Sequence, residues 1–90
     1  MTFEEHKKIL LKNPQFRKIY EETRLEREVA RSLIRARIER RLTQAQLAKK
    51  LKTKQSVISR VESGQTTPSL SFLKRLAAVL GLSLKVEFTK

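Results

Sequence analysis

Residues 42–64 read LTQAQLAKKLKTKQSVISRVESG, and the fold is decided there. Thr43 followed three residues later by Gln46 has the capping-box spacing, in which the hydroxyl accepts from an early helix amide and the glutamine reaches back to the cap. Leu47, Ala48 and Leu51 then form the inward stripe of a short helix. Thr53 is the next N-cap candidate. The helix it opens ends at Ser63-Gly64, because glycine takes the left-handed conformation that stops a helix. At about 100° per residue, Gln55, Ser56, Ser59 and Arg60 fall in one sector of that second helix, and Val57, Ile58 and Val61 in the opposite one.

Working outward, Thr66, Thr67, Pro68 and Ser69 start a further helix with Leu70, Leu73, Ala77 and Leu80 on its core side and Gly81 as its stop. On the other flank, Val29, Ala30, Leu33, Ile34 and Ile38 predict a helix running to about Arg41. Asn13-Pro14 marks an earlier helix start carrying Phe16, Ile19 and Tyr20, and Thr2 with Glu5 repeats the capping-box spacing for a helix up to about Lys12. The pattern falters around 23–25. Residues 82–88 alternate, with Leu82, Leu84, Val86 and Phe88 on one side and Ser83, Lys85 and Glu87 on the other, which is the period of a strand. A single strand leaves its backbone groups unpaired, and no other segment reads as one. Either a second chain pairs with it, through Leu84, Val86 and Phe88, or it is a tail whose apolar side packs on the helices.

The chain therefore divides into an N-terminal helical arm (1–25), an all-α domain (26–81) and a closing strand (82–90). Its 90 residues suffice for one small core. The absence of cysteine and the single histidine, His6, exclude disulfides, thiol nucleophiles and a Cys/His zinc site. No carboxylate pair or glycine-rich phosphate loop is apparent, so no enzyme, cofactor or metal is expected. No apolar run is long enough for a signal or a membrane span, which makes a cytoplasmic protein the expectation.

Charge points to a partner. The formal net charge is +12, with ten Lys/Arg against two Glu in residues 31–66 and near balance, seven against six, in residues 1–30. A positive field concentrated on one segment attracts a polyanion, nucleic acid above all. The two helices at 43–63 have the size and spacing of a helix-turn-helix, and the outward sector of the second carries the chemistry that reads base edges: Gln pairs bidentately with adenine, Arg with guanine, Ser with several partners. RNA recognition lacks its aromatic stacking platforms. Lys49, Lys50, Lys52 and Lys54 are phosphate contacts or solvated charge. Thr66 and Thr67 can donate hydroxyls to phosphate, or serve only the turn. Arg37 lies in the apolar sector of its helix, where an unpaired guanidinium is costly. Glu39 is too near in sequence to face it, leaving Glu62 as the predicted ion-pair partner.

The segment 42–64, with TPSLSFLKRLAAVLG at 67–81 and the helix ending near Arg41, resembles the Cro/cI-type (XRE) helix-turn-helix of phage and bacterial repressors. That resemblance implies a five-helix core, an Arg37–Glu62 pair, Gln44 on a phosphate, Gln55 and Ser56 on bases, and Ser59 and Arg60 on bases or backbone. Lys52 stands where many relatives have glycine. With its arm, including NPQFRKIYEE at 13–22, and its closing LSLKVEF, the chain also looks like HigA-type antitoxins. Those repress their own operon and block a small RelE-superfamily ribonuclease, which would dock at Phe16, Ile19 and Tyr20. A surplus of positive charge argues against that partner. The alternative is a stand-alone XRE-family regulator. In either case a homodimer on a palindromic operator is expected, its recognition helices roughly 34 Å apart.

Overall fold

The structure, a computed structural model, describes residues 2–90. Six helices follow one another: α1 (Phe3–Leu10), α2 (Pro14–Glu22), α3 (Arg24–Glu39), α4 (Gln44–Leu51), α5 (Gln55–Glu62) and α6 (Leu70–Leu80). Local chemistry starts most of them. Thr2, Asn13, Thr43 and Ser69 each accept a first-turn amide on the side chain, Pro14 opens α2, and Thr43 with Gln46 completes the capping box. Thr23 does not cap α3. Its hydroxyl instead donates back to Ile19 O (2.9 Å), which explains the faltering pattern there.

The four helices α3 to α6 end alike. In each, two amides just past the helix turn back onto carbonyls of its last turn: Arg41 and Leu42 onto Ile38 and Arg37, Lys52 and Thr53 onto Lys49 and Ala48, Gly64 and Gln65 onto Val61 and Arg60, Gly81 and Leu82 onto Ala78 and Ala77. This double closure requires a left-handed residue. Gly64 (φ 73°) and Gly81 (φ 69°) supply it, and they are the chain's two glycines; Arg41 (φ 55°) and Lys52 (φ 59°) adopt it against the steric preference of a side chain.

Leu33, Ala36, Leu47, Ala48, Leu51, Ile58, Val61, Leu76 and Leu80 form one buried cluster, flanked by Val29, Leu42, Phe72 and Leu73. Leu47 and Ile58 are completely enclosed, one from each helix of the central pair. Each contributes on the order of 1.5–3 kcal/mol by leaving water, so α5 is fixed by the face opposite its polar sector.

Two expectations are corrected. The compact unit contains four helices over 24–80 rather than five, and residues 82–90 form no strand. A strand needs a ladder partner, and every other described element is helical, so the alternating segment has nothing to pair with. A smaller shift concerns Thr53, which belongs to the turn closing α4; Lys54 is the N-cap of α5 and makes no side-chain capping bond.

Candidate nucleic-acid interface

α5 is held from behind and from both neighbours. Ile58 and Val61 are buried beneath it, while Gln55, Ser56, Ser59 and Arg60 are all exposed. At its C-terminal end Glu62 is the anchor. Arg37 Nε donates to Glu62 Oε2 (2.6 Å) and Nη2 to Oε1 (2.9 Å), a bidentate pair joining α3 to α5. The third donor, Nη1, goes to Leu42 O (2.8 Å), and Gln44 Nε2 also donates to Glu62 Oε1 (3.0 Å). With side-chain exposures of 15% and 5%, both charges are largely removed from water, so each depends on the other. Hydrogen bonding to the Glu62 carboxylate, against the opposing effect of burial, raises the Arg37 pKa further above its ordinary value.

One carboxylate thus fixes α3, α4 and α5 together. Gln44 spends one amide hydrogen on Glu62 and keeps a second at the start of α4, next to the capping box. The start of α5 is different. No side chain caps it and no acid occupies its first turn, so the partial positive charge of its free amides is not neutralised. Lys54 sits exposed at that end, with Lys49, Lys50 and Lys52 exposed on α4 and the turn.

Thr66 is half-buried after α5. The Thr67 hydroxyl is engaged, donating to Glu26 Oε1 (2.7 Å) across to α3. That bond is the main reason the Glu26 carboxyl is held below its ordinary pKa. In the arm, Phe16 and Tyr20 stack at 6.0 Å, the Arg27 guanidinium lies 3.4 Å above the Tyr20 ring, and only Ile19 of the three is broadly exposed, at 59%. Lys7 lies 5.1 Å from the same ring, and the Lys7 ammonium beside the phenol, with the Arg27 charge, lowers the Tyr20 pKa. Tyr20 therefore fastens α2 to α3 through Arg27, and Phe16 stacks on it within α2.

Sequence reasoning missed three arginines whose work is internal. Arg40 Nε donates to Leu80 O (2.6 Å) and Nη1 to Ala36 O (2.8 Å); Arg75 Nη2 donates to Leu51 O (2.6 Å); Arg27 donates to Tyr20 O and Thr23 Oγ1. Their signal was weak, since an arginine on a basic helix reads as surface charge. Among the described residues no helix is long and apolar enough to cross a membrane.

Comparison with known proteins fits this geometry. Residues 33–86 match the helix-turn-helix family. Similar curated proteins include multiprotein-bridging factor 1c of Arabidopsis thaliana, 31% identical over 80 residues (82% of this chain, 54% of that protein). Others are multiprotein-bridging factor 1b of the same plant, 37% identical over 62 residues (69% and 44%), and a putative multi-protein-binding factor 1 of Yarrowia lipolytica, 36% identical over 62 residues (69% and 41%). The chain spans about half the length of these relatives. They are bridging factors, not HigA-type antitoxins, which corrects that part of the expectation. No solved structure matches.

Proposed function

The chain belongs to the helix-turn-helix family, and from that premise we propose that it is a sequence-specific regulator of transcription that reads duplex DNA with the outer face of α5. The observation carrying this reading is the division of α5 itself: an enclosed Ile58 and Val61 on one side, an exposed Gln55, Ser56, Ser59 and Arg60 on the other. Gln55 and Ser56, at the uncapped start of the helix, are the base readers; Ser59 and Arg60 reach bases or backbone one turn later. Lys54 and the second amide hydrogen of Gln44 hold phosphates on either side. Thr66 is a further phosphate donor, whereas Thr67, committed to Glu26, acts only through the turn.

The protein acts without a toxin partner, as a stand-alone regulator in homodimeric form on a palindromic site. The relatives' names speak of bridging proteins, and the arm supplies a surface for a protein partner in Phe3 (77% exposed), Ile9 (53%) and Ile19 (59%). The decisive experiment is selection of bound duplexes from a random pool at moderate ionic strength, followed by footprinting. A two-fold symmetric consensus is expected. Recovery of sequences indistinguishable from the input pool would overturn the proposal.

A further inference from the structure

The segment 82–90 is unlike any other in the molecule. Its last backbone hydrogen bond among the described residues is Leu82 N–H to Ala77 O, and beyond it the chain has no helix, turn or ladder. Yet its alternation is complete, and Lys85 and Glu87 stand on the same side, paired at 2.9 Å. The apolar side is only partly used. Leu82 and Leu84 line a cavity of about 360 Å³ between α3 and α6 with Leu25, Val29, Leu33 and Leu73, whereas Val86 is 64% and Phe88 103% exposed.

We infer that residues 82–90 pair antiparallel with the same segment of a second copy, in the single register centred on Val86. The inference rests on the two-chain reading above and specifies how the copies join. Residues directly opposite in an antiparallel ribbon share a face, so the register decides which side chains meet. Centred on Val86, the ribbon sets Val86 against its own copy, Leu84 against the partner's Phe88, and Lys85 against the partner's Glu87. Every apolar residue from 84 to 88 then meets an apolar one, and the two charge pairs are both attractive.

Neighbouring registers fail on charge or on face. Centring on Lys85 puts lysine against lysine, and centring on Glu87 puts glutamate against glutamate. Centring between residues turns the apolar side of one strand onto the polar side of the other. Centring on Leu84 places Phe88 opposite Leu80, inside α6, where no strand can pair. In the Val86 register the partner's Phe88 arrives beside Leu84 at the mouth of the cavity between α3 and α6, covering the ring that is bare in the single chain.

The register is tested by charge reversal on the full chain, with the association constant read by sedimentation equilibrium and folding checked by circular dichroism. Lys85→Glu and Glu87→Lys each turn both symmetric cross-strand pairs repulsive, and each is expected to weaken dimerisation by about tenfold or more. An equimolar mixture of the two variants restores attraction in every pair, as does the double exchange in one chain. Both are expected to associate like the wild type. Unchanged association of the single variants, or failure of the mixture to recover, overturns the register while leaving the dimer intact. A wild-type chain that stays monomeric both alone and on selected DNA overturns the two-chain reading itself, and base preference lost on Gln55→Ala reports separately on α5.

Discussion

Replacing Glu62 with alanine tests the bracing of α5 most directly. The substitution removes both acceptors of Arg37 and the acceptor of Gln44 together, and it leaves a guanidinium that is 15% exposed holding only the bond to Leu42 O. Breaking a buried ion pair from one side costs roughly 3–5 kcal/mol because the survivor remains uncompensated. The retained Leu42 bond and the residual exposure of Arg37 set the expectation at the lower end, about 3 kcal/mol. For a domain of this size each kcal/mol moves the melting temperature by roughly 4–8 °C, so a fall of about 12–24 °C is expected by differential scanning calorimetry. The companion variant Arg37→Met with Glu62→Leu removes both charges and should recover most of that loss, since apolar pairs of similar volume replace buried ion pairs at little cost. DNA affinity of Glu62→Ala, measured well below its melting point, should still fall, because Gln44 and the end of α5 lose a common anchor. A melting temperature within about 3 °C of wild type, below the shift of even 1 kcal/mol, or a double variant no better than the single one, would refute the argument that this pair braces the helices.

Gln55→Ala should cost on the order of 1–3 kcal/mol of specific binding and relax preference at one base pair, whereas Lys54→Ala should weaken all sequences alike and reduce the salt slope by about one; a competition series over single-base variants of the selected site separates the two. Lys52 holds φ 59° and ψ 45° at the end of α4. Left-handed strain of about 1–2 kcal/mol for a residue with a Cβ, offset by the extra chain entropy of glycine, leaves a net gain of about 0.5–1 kcal/mol for Lys52→Gly in urea unfolding, and a loss of stability would contradict the strain. Glu26 supplies the pH dependence. Its pKa is held below the ordinary carboxylate value in the folded chain, mainly by the Thr67 hydroxyl, so its contribution is present above that ordinary value and is lost as pH falls through the lowered one. Thr67→Val should flatten the acid limb of a stability-against-pH curve without changing the neutral plateau's slope, and an acid limb identical to wild type would remove this contact from the account.

What the sequence made legible was mostly what is decided within one helical turn. Thr43 with Gln46, Asn13 with Pro14, and Ser69 announce helix starts because the bonds they make are to amides two or three residues away. Gly64 and Gly81 announce ends for the same reason, but Arg41 and Lys52 do the same job without the residue that advertises it. Arg37–Glu62 spans 25 positions and was still legible, since charge is costly in an apolar sector and the region offers only two acids. Arg40 to Leu80 O spans 40, and a backbone carbonyl carries no mark in the sequence. The strand at 82–88 failed for a related reason. Period two describes which way side chains point, whereas a strand exists only when a second backbone lies alongside.

The arginines that proved internal change how the net charge should be understood. Arg37, Arg40 and Arg75 each place a donor on a carbonyl at or just beyond a helix end: Leu42 after α3, Leu80 closing α6, Leu51 closing α4. The Leu80 and Leu51 carbonyls lack an intrahelical partner and lie at the negative pole of their helices, so Arg40 and Arg75 satisfy a bond and the dipole together, whereas Arg37 ties down the turn that follows its own helix. A core of ten buried apolar residues is small, and these forks join helices that it alone would hold loosely. Arginine suits this because its stem packs on apolar surface while one planar group serves two acceptors, as Arg40 does for Ala36 and Leu80. Lys49, Lys50, Lys52, Lys54 and Arg60 all remain exposed on α4, the turn and α5. Four of the 21 Lys and Arg, namely Arg27, Arg37, Arg40 and Arg75, are thus turned to holding the fold, while the exposed lysines of α4 and the turn contribute to a positive field that attracts a polyanion.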